Sequence, residues 1–184
     1  MEFLVENHVS AIKGILVPPQ SEGEEKHTSG LVVTLYDNLP YIDMKLVVVN
    51  KPATEEAEAG WWALPLATQA PKYRIGRIGS VIDPEKDLVK GSQFNYIWSN
   101  SGIKVQDGDY SVGICPLDAP AMVMGDLKFM HYAPEYEHPQ SHFYLNLYNN
   151  RWNTNFTSFW SGNLTSEVRL WVNPKQADNE AGLI

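Results

Sequence analysis

The stretch Gly30–Asn50 reads GLVVTLYDNLPYIDMKLVVVN, and its pattern decides the fold class. Gly30–Tyr36 is apolar and β-branched, and Asp37-Asn38-Leu39-Pro40 is a turn cluster. From Tyr41 onward Ile42, Met44, Leu46 and Val48 fall on one side of a period of two. Tyr41, Asp43 and Lys45 fall on the other, followed by Val47 and Val49. Apolar/polar alternation on both sides of a tight turn is the pattern of an antiparallel hairpin with one buried face.

The same reading extends in both directions. Lys51–Gly60 is expected to be a loop, after which Trp61–Leu66 resumes as strand. Further strands are expected at Tyr73–Ile78, Gln93–Ser99, Ile103–Gln106, Tyr110–Cys115, Ala121–Met124, His142–Leu147 and Glu167–Val172. Val81–Lys90 is turn-rich and long enough for one helical turn. No apolar period of 3.6 is sustained for the length of a helix. About ten short strands separated by turn residues point to an all-β, antiparallel β-sandwich or barrel. The expected division is an N-terminal strand with a flexible acidic loop (1–29), a β-sandwich domain (30–172) and a flexible tail (173–184).

Composition narrows the function classes. The chain has 184 residues, 43% of them apolar, which suits one large domain with a continuous core. The net charge is −8, and the basic residues are scattered, so no nucleic-acid face is expected. No apolar run approaches the ~20 residues of a membrane span. The N-terminus lacks the basic-then-apolar pattern of a signal peptide. A soluble, cytoplasmic chain is therefore expected as given, although a signal upstream of a longer parent would change that. Cys115 is the only cysteine. It sits in an apolar run and reads as a small buried hydrophobe.

The segment His142–Trp160 is the richest in chemistry. Asn149, Asn150, Arg151, Trp152, Asn153 and Asn155 crowd into seven residues. Sugars present alternating hydroxyls and flat C–H faces. Planar amides, a guanidinium and aromatic rings are the groups that meet them. The competing reading is structural, because Asn side chains also bond neighbouring backbone and build turns. Trp61-Trp62 is a second aromatic pair. Successive strand residues face opposite ways, so one Trp enters the core and the other faces outward or into a cleft. Glu58 precedes them and matters only if its loop closes on a pocket. The candidate carbohydrate contacts are thus Glu58, Trp62, His142, Asn149, Asn150, Arg151, Trp152 and Asn155. His131, His142, Glu58 and Tyr144 are the parts available for an acid–base pair. The histidines show no spacing for a catalytic zinc site, so neither catalytic residues nor metal ligands are assigned. The aspartates beside Pro or Gly read as turn formers.

Several ordered stretches resemble the C-terminal part of glycoside hydrolase family 38 α-mannosidases, in a bacterial branch. They are Leu39-Pro40-Tyr41-Ile42-Asp43, Asn50-Lys51-Pro52-Ala53 leading to Glu58–Pro65, Gly113–Pro120, and Asn146–Trp160. The resemblance runs from about Gly30 to Val172. It implies a galactose-mutarotase-like (supersandwich-type) β-sandwich, here shorter than the full one. It also implies a non-catalytic, carbohydrate-associated module that packs on a separate catalytic domain, or on another copy of itself. In such enzymes zinc and the catalytic carboxylates belong to that other domain, so no cofactor is expected in this chain. Two alternatives stand beside it: a stand-alone mutarotase-like, epimerase-like or lyase-like enzyme on the same sandwich, and a purely structural domain.

Overall fold

The computed structural model describes residues 2–8, 11–17, 28–128, 132, 134–150 and 158–172. Thirteen strands and one helical turn follow in chain order among them: β1 (Glu2–His8), β2 (Ala11–Val17), β3 (Thr28–Tyr36), β4 (Tyr41–Lys51), β5 (Ala59–Pro65), β6 (Lys72–Arg77), β7 (Ser80–Ile82), α1 (Pro84–Asp87), β8 (Tyr96–Trp98), β9 (Gly102–Asp107), β10 (Tyr110–Pro116), β11 (Ala121–Met124), β12 (His142–Asn149) and β13 (Gly162–Val172). They form a nine-stranded sheet in the order β1-β2-β3-β4-β13-β10-β9-β6-β7 and a four-stranded sheet in the order β5-β12-β11-β8. Neighbouring strands are antiparallel throughout. The expected all-β antiparallel sandwich is therefore what the chain forms.

The hairpin expected over Gly30–Asn50 is β3–β4, with Leu31 opposite Leu46 and Val33 opposite Met44. The core lies between the sheets. Trp62, Leu64, Ile97, Met122, Met124, Phe143 and Leu145 of the small sheet meet Tyr73, Ile75, Ile103, Val105, Ile114 and Val168 of the large one. Tyr73 and Phe143 touch edge to face across the layers, ring centroids 6.1 Å apart. The strands of the large sheet that supply this core are β6, β9, β10 and β13, with Met44 and Leu46 of β4 packed alongside.

Turn chemistry holds the ends. Asp83 caps α1, accepting from the Glu85 amide at 3.1 Å, and Pro84 occupies the first helical position. Asp107 accepts from the amides of Gln69 and Ala70 at 2.6 and 3.2 Å, and Asp118 from the Ser166 hydroxyl and the Glu167 amide. Of these, Asp83 acts locally as the turn former read from sequence, whereas Asp107 and Asp118 bond backbone and hydroxyl groups of segments distant in the chain. The loop expected over Lys51–Gly60 is shorter than read, because β4 runs through Lys51 and β5 begins at Ala59. The strand expected over Gln93–Ser99 contracts to Tyr96–Trp98. No helix among the described residues is long and apolar enough to cross a membrane.

Candidate functional site

Period-two alternation divides β12. Phe143 and Leu145 face the core, both fully buried, so His142, Tyr144 and Asn146 face outward. On the same outer face, Tyr144 stands opposite Ala63 and Val123, Val123 opposite Tyr96, Asn146 opposite Trp61, and Ala121 opposite Trp98. Tyr96 reaches across this face. Its hydroxyl donates to Asn146 Oδ1 at 3.2 Å. Its ring meets Trp61 and Trp98 edge to face, at 6.3 and 5.8 Å between centroids. Val123 and Ala121 are buried beneath these rings, with Trp61 and Tyr144 packed against them. Burial pushes the Tyr96 phenol above its ordinary pKa.

At the end of this face a cleft of about 290 Å³ opens between the β8 and β11 ends and segment 137–140. Phe94, Asn95, Asp126, Glu137, His138 and Gln140 line it. Gly125 closes one wall with φ +86°, and a Cβ there would stand 2.7 Å from Pro139 Cβ, so the approach requires glycine. Asn95 donates through Nδ2 to the Lys128 carbonyl oxygen at 2.8 Å. Its Oδ1 is buried and accepts no hydrogen bond among the described residues. His138 adopts φ +46°, a region that His enters more readily than most side chains. Its ring meets Tyr136 edge to face at 5.1 Å.

Beyond the wall made by His138 and Pro139 lies a second cleft, of about 460 Å³, bordered by Tyr73, Arg74, Asp83, Glu85 and Tyr136. His138 Nε2 stands 4.0 Å from Glu85 Oε1 there. Tyr136 carries a phenol driven far above its usual range, first by burial and then by Tyr73, Glu85 and Asp83.

The residues singled out from sequence separate into groups. Trp62 is buried in the core, 7% exposed, beside Leu64. Of the adjacent pair it is Trp61 that faces outward, because the alternation that sends Leu64 inward carries Trp62 with it. Glu58 and Asn150 do come together, but on each other's loop. Asn150 Oδ1 accepts from the Glu58 amide at 2.7 Å, and its Nδ2 donates to the carbonyl oxygens of Thr54 and Glu56 at 3.1 and 2.6 Å. The Glu58 carboxylate pairs with Lys51, whose side chain is 3% exposed. The Lys51 ammonium also donates to the Pro52 carbonyl oxygen at 2.8 Å and lies over the rings of Tyr148 and Trp160, 4.9 and 5.5 Å from their centroids. Tyr148 sits where a Cβ on Gly60 would have to go, which fixes glycine at that position. Asn149 donates to Asn146 Oδ1 at 2.9 Å.

His142 lies at the opposite end of β12 from this loop, half-buried and opposite Pro65. Eight residues of strand put it roughly 25 Å from Glu58, so these two do not form a pair. The His142 backbone instead edges the cleft, accepting from the Gly125 amide at 2.9 Å and donating to the Gln140 carbonyl oxygen at 2.8 Å. Arg151, Trp152, Asn155 and His131 lie outside the described residues. Sequence reasoning passed over Asn95, Asp126, Glu137, His138 and Gln140 as a set. They are scattered over loops, and only the Pro and Gly punctuation around them signals a tight approach.

Among the described residues, no three His, Cys, Asp or Glu side chains are placed to hold a metal ion. Cys115 lies opposite Arg169 on the large sheet. Burial raises its thiol pKa, with Arg169 and Trp171 opposing the rise, so the reactive thiolate is disfavoured.

No family model matches the chain, and no curated protein matches it. The chain is similar to the solved structure of a proposed aldose 1-epimerase from Escherichia coli K12. That similarity has 12% identity and a TM-score of 0.45, and covers 94% of this chain and 69% of that one. It is also similar to a galactose mutarotase-related enzyme from Lactobacillus acidophilus, with 13% identity and a TM-score of 0.43, covering 96% of this chain and 73% of that one. Neither is an α-mannosidase.

Proposed function

We propose that this chain is a carbohydrate-binding β-sandwich that takes one sugar ring in the cleft between Asn95 and Gln140. The observation that carries this reading is a cleft lined by Asn95, Asp126, Glu137, His138 and Gln140, in which the buried Asn95 Oδ1 accepts no hydrogen bond among the described residues. An acceptor without a partner costs free energy until a donor arrives, and a sugar hydroxyl is such a donor. Its neighbours supply the alternating donors and acceptors that the remaining hydroxyls need. The volume is at the small end for ligand sites, which suits a single ring. Calorimetric titration with glucose, galactose and mannose tests this. Saturable binding of at least one is expected, weakened by Gln140→Ala and Asp126→Asn. Absence of binding to all three overturns it.

His138 favours a second, catalytic reading. An imidazole and two carboxylates in one cleft are the parts of an acid–base device for anomer exchange. A carboxylate takes the proton of the C1 hydroxyl. The C1–O5 bond breaks with its electron pair going to O5, and the imidazolium protonates O5. Rotation about C1–C2 and the reverse steps then deliver the other anomer. Polarimetry of freshly dissolved α-D-glucose or α-D-galactose checks it, and an unaccelerated approach to equilibrium rejects it. The narrower module reading, a partner of an α-mannosidase-like catalytic domain, shares the sugar site. It expects no cleavage of nitrophenyl glycosides by this chain, with or without added zinc.

A further inference from the structure

The outer face of the four-stranded sheet begins beside the cleft, where the His142 backbone is bonded to Gly125 and Gln140. His142 edges the cleft and precedes Tyr144 and Asn146 on the same side of β12. On β8, Tyr96 and Trp98 follow directly from the cleft residues Phe94 and Asn95. Trp61, Tyr96 and Trp98 form a continuous aromatic strip across the sheet through the two edge-to-face contacts. Trp98 is 47% exposed although its neighbour Tyr96 is buried.

We propose that this strip is a second carbohydrate contact, which holds the next units of an uncharged oligosaccharide whose first ring lies in the cleft. The inference deepens the sugar-binding reading and rests on it for the position of the first ring. Three features select this occupant. The strip residues Trp61, Tyr96, Trp98, Tyr144 and Asn146 carry no charge, in a chain whose net charge is −8. An anionic glycan would meet an unfavourable overall field and find no cation on the strip, whereas a neutral one loses nothing. A flat indole with an exposed face matches the C–H face of a pyranose, and indoles retain their affinity for apolar faces at wet surfaces. The Asn146 amide spends its valence within the sheet, Oδ1 accepting from Tyr96 and Asn149 and Nδ2 donating to the Tyr148 and Gly60 carbonyl oxygens, so it fixes the Tyr96 ring and the platform is ordered before a ligand arrives.

The experiment titrates the full chain with mono- and tetrasaccharides of the gluco-, manno- and galacto-series, with tetragalacturonate as the charged control. Binding is followed by calorimetry and by tryptophan fluorescence. Tetrasaccharide binding tighter than the best monosaccharide is expected. Trp98→Ala should remove most of that advantage, roughly tenfold in affinity, and leave monosaccharide binding unchanged. Trp61→Ala should act in the same direction, and thermal melts report whether either variant remains folded. A tetrasaccharide affinity insensitive to both substitutions in folded protein overturns the strip, and so does a preference for tetragalacturonate. Binding of tetrasaccharide but no monosaccharide, lost on Trp98→Ala, overturns the cleft and keeps the strip. Binding of neither overturns both.

Discussion

Asn150 shows how one side chain reads two ways. Its amide has the donors and acceptor that a sugar would use, and the sequence sets it among Asn149, Arg151 and Trp152. In the fold all of its side-chain valence goes to backbone: the Glu58 amide and the Thr54 and Glu56 carbonyl oxygens. Its own amide donates to the Glu58 carbonyl oxygen at 3.2 Å. These bonds tie loop 52–58 to the end of β12 and bring the Glu58 carboxylate to the buried Lys51. Removing one partner of such a pair leaves a desolvated charge behind, which costs more than the pair contributes. Asn150→Ala is therefore expected to destabilise the chain by about 2 kcal/mol, the loss of several backbone-anchoring hydrogen bonds at a partly exposed site. Sugar affinity should be unchanged. Urea unfolding and calorimetric titration of the same variant check it. A weakened sugar affinity with intact stability would return Asn150 to the binding residues. The sequence could not make this distinction, because an amide bonded to its own loop and an amide awaiting a hydroxyl have the same composition and spacing.

At the scale of elements, alternation made most strands legible. The β3–β4 hairpin, β6, β10 and β12 lie where apolar and polar residues interleave, and β11 is a short apolar run between turn residues. The edge strand β7 escaped, because its three residues Ser80–Ile82 are too few to establish a period. What alternation could not supply is the identity of cross-strand partners. Asp43 and Arg169 are 126 positions apart, yet the guanidinium grips the carboxylate through Nε at 2.7 Å and Nη2 at 2.9 Å. Tyr36 donates to the same carboxylate at 2.8 Å, and Arg169 lies 3.9 Å over the Tyr41 ring. The Arg169 hydrogen bonds, helped by Tyr36 and opposed by burial, hold the Asp43 carboxyl below its ordinary pKa. A depressed carboxyl pKa stabilises the fold above the unfolded value, about 3.9. That contribution fades as pH falls through the lower, folded value. Arg169→Met should thus be less stable than the parent at neutral pH. The gap should narrow steadily as the medium is taken below about pH 4. Urea midpoints measured across that range test the sign, and a gap that widens on acidification contradicts it. Both side chains are partly exposed, 32% and 27%, so solvent screening keeps the effect near 1 kcal/mol or less.

For the whole molecule, the arrangement of sheets is what turns scattered residues into sites. The cleft draws on the end of β8, the end of β11 and segment 137–140, and the aromatic strip on β5, β8 and β12. Neither set shares a motif, so spacing along the chain could reveal neither. The alternating pattern did announce two faces per strand. It could not say that the small sheet would turn its second face outward with three rings across it. Both sites therefore depend on one core. Phe143 is fully buried in the small sheet and meets Tyr73 of the large sheet edge to face. Truncating a buried aromatic costs about 3–5 kcal/mol through lost burial and the cavity it leaves, a large share of the 5–15 kcal/mol available to a domain. If the sandwich is one cooperative unit, Phe143→Ala lowers the unfolding midpoint of both sheets together. Far-ultraviolet circular dichroism follows the strands of the whole fold, and tryptophan fluorescence draws three of its six reporters, Trp61, Trp62 and Trp98, from the small sheet against one, Trp171, in the large. The two transitions should remain coincident in the variant, at a lower denaturant concentration and with an unchanged slope. Separation of the two curves would mean that the large sheet stands without its partner, and that the small sheet can be lost while the rest of the fold persists.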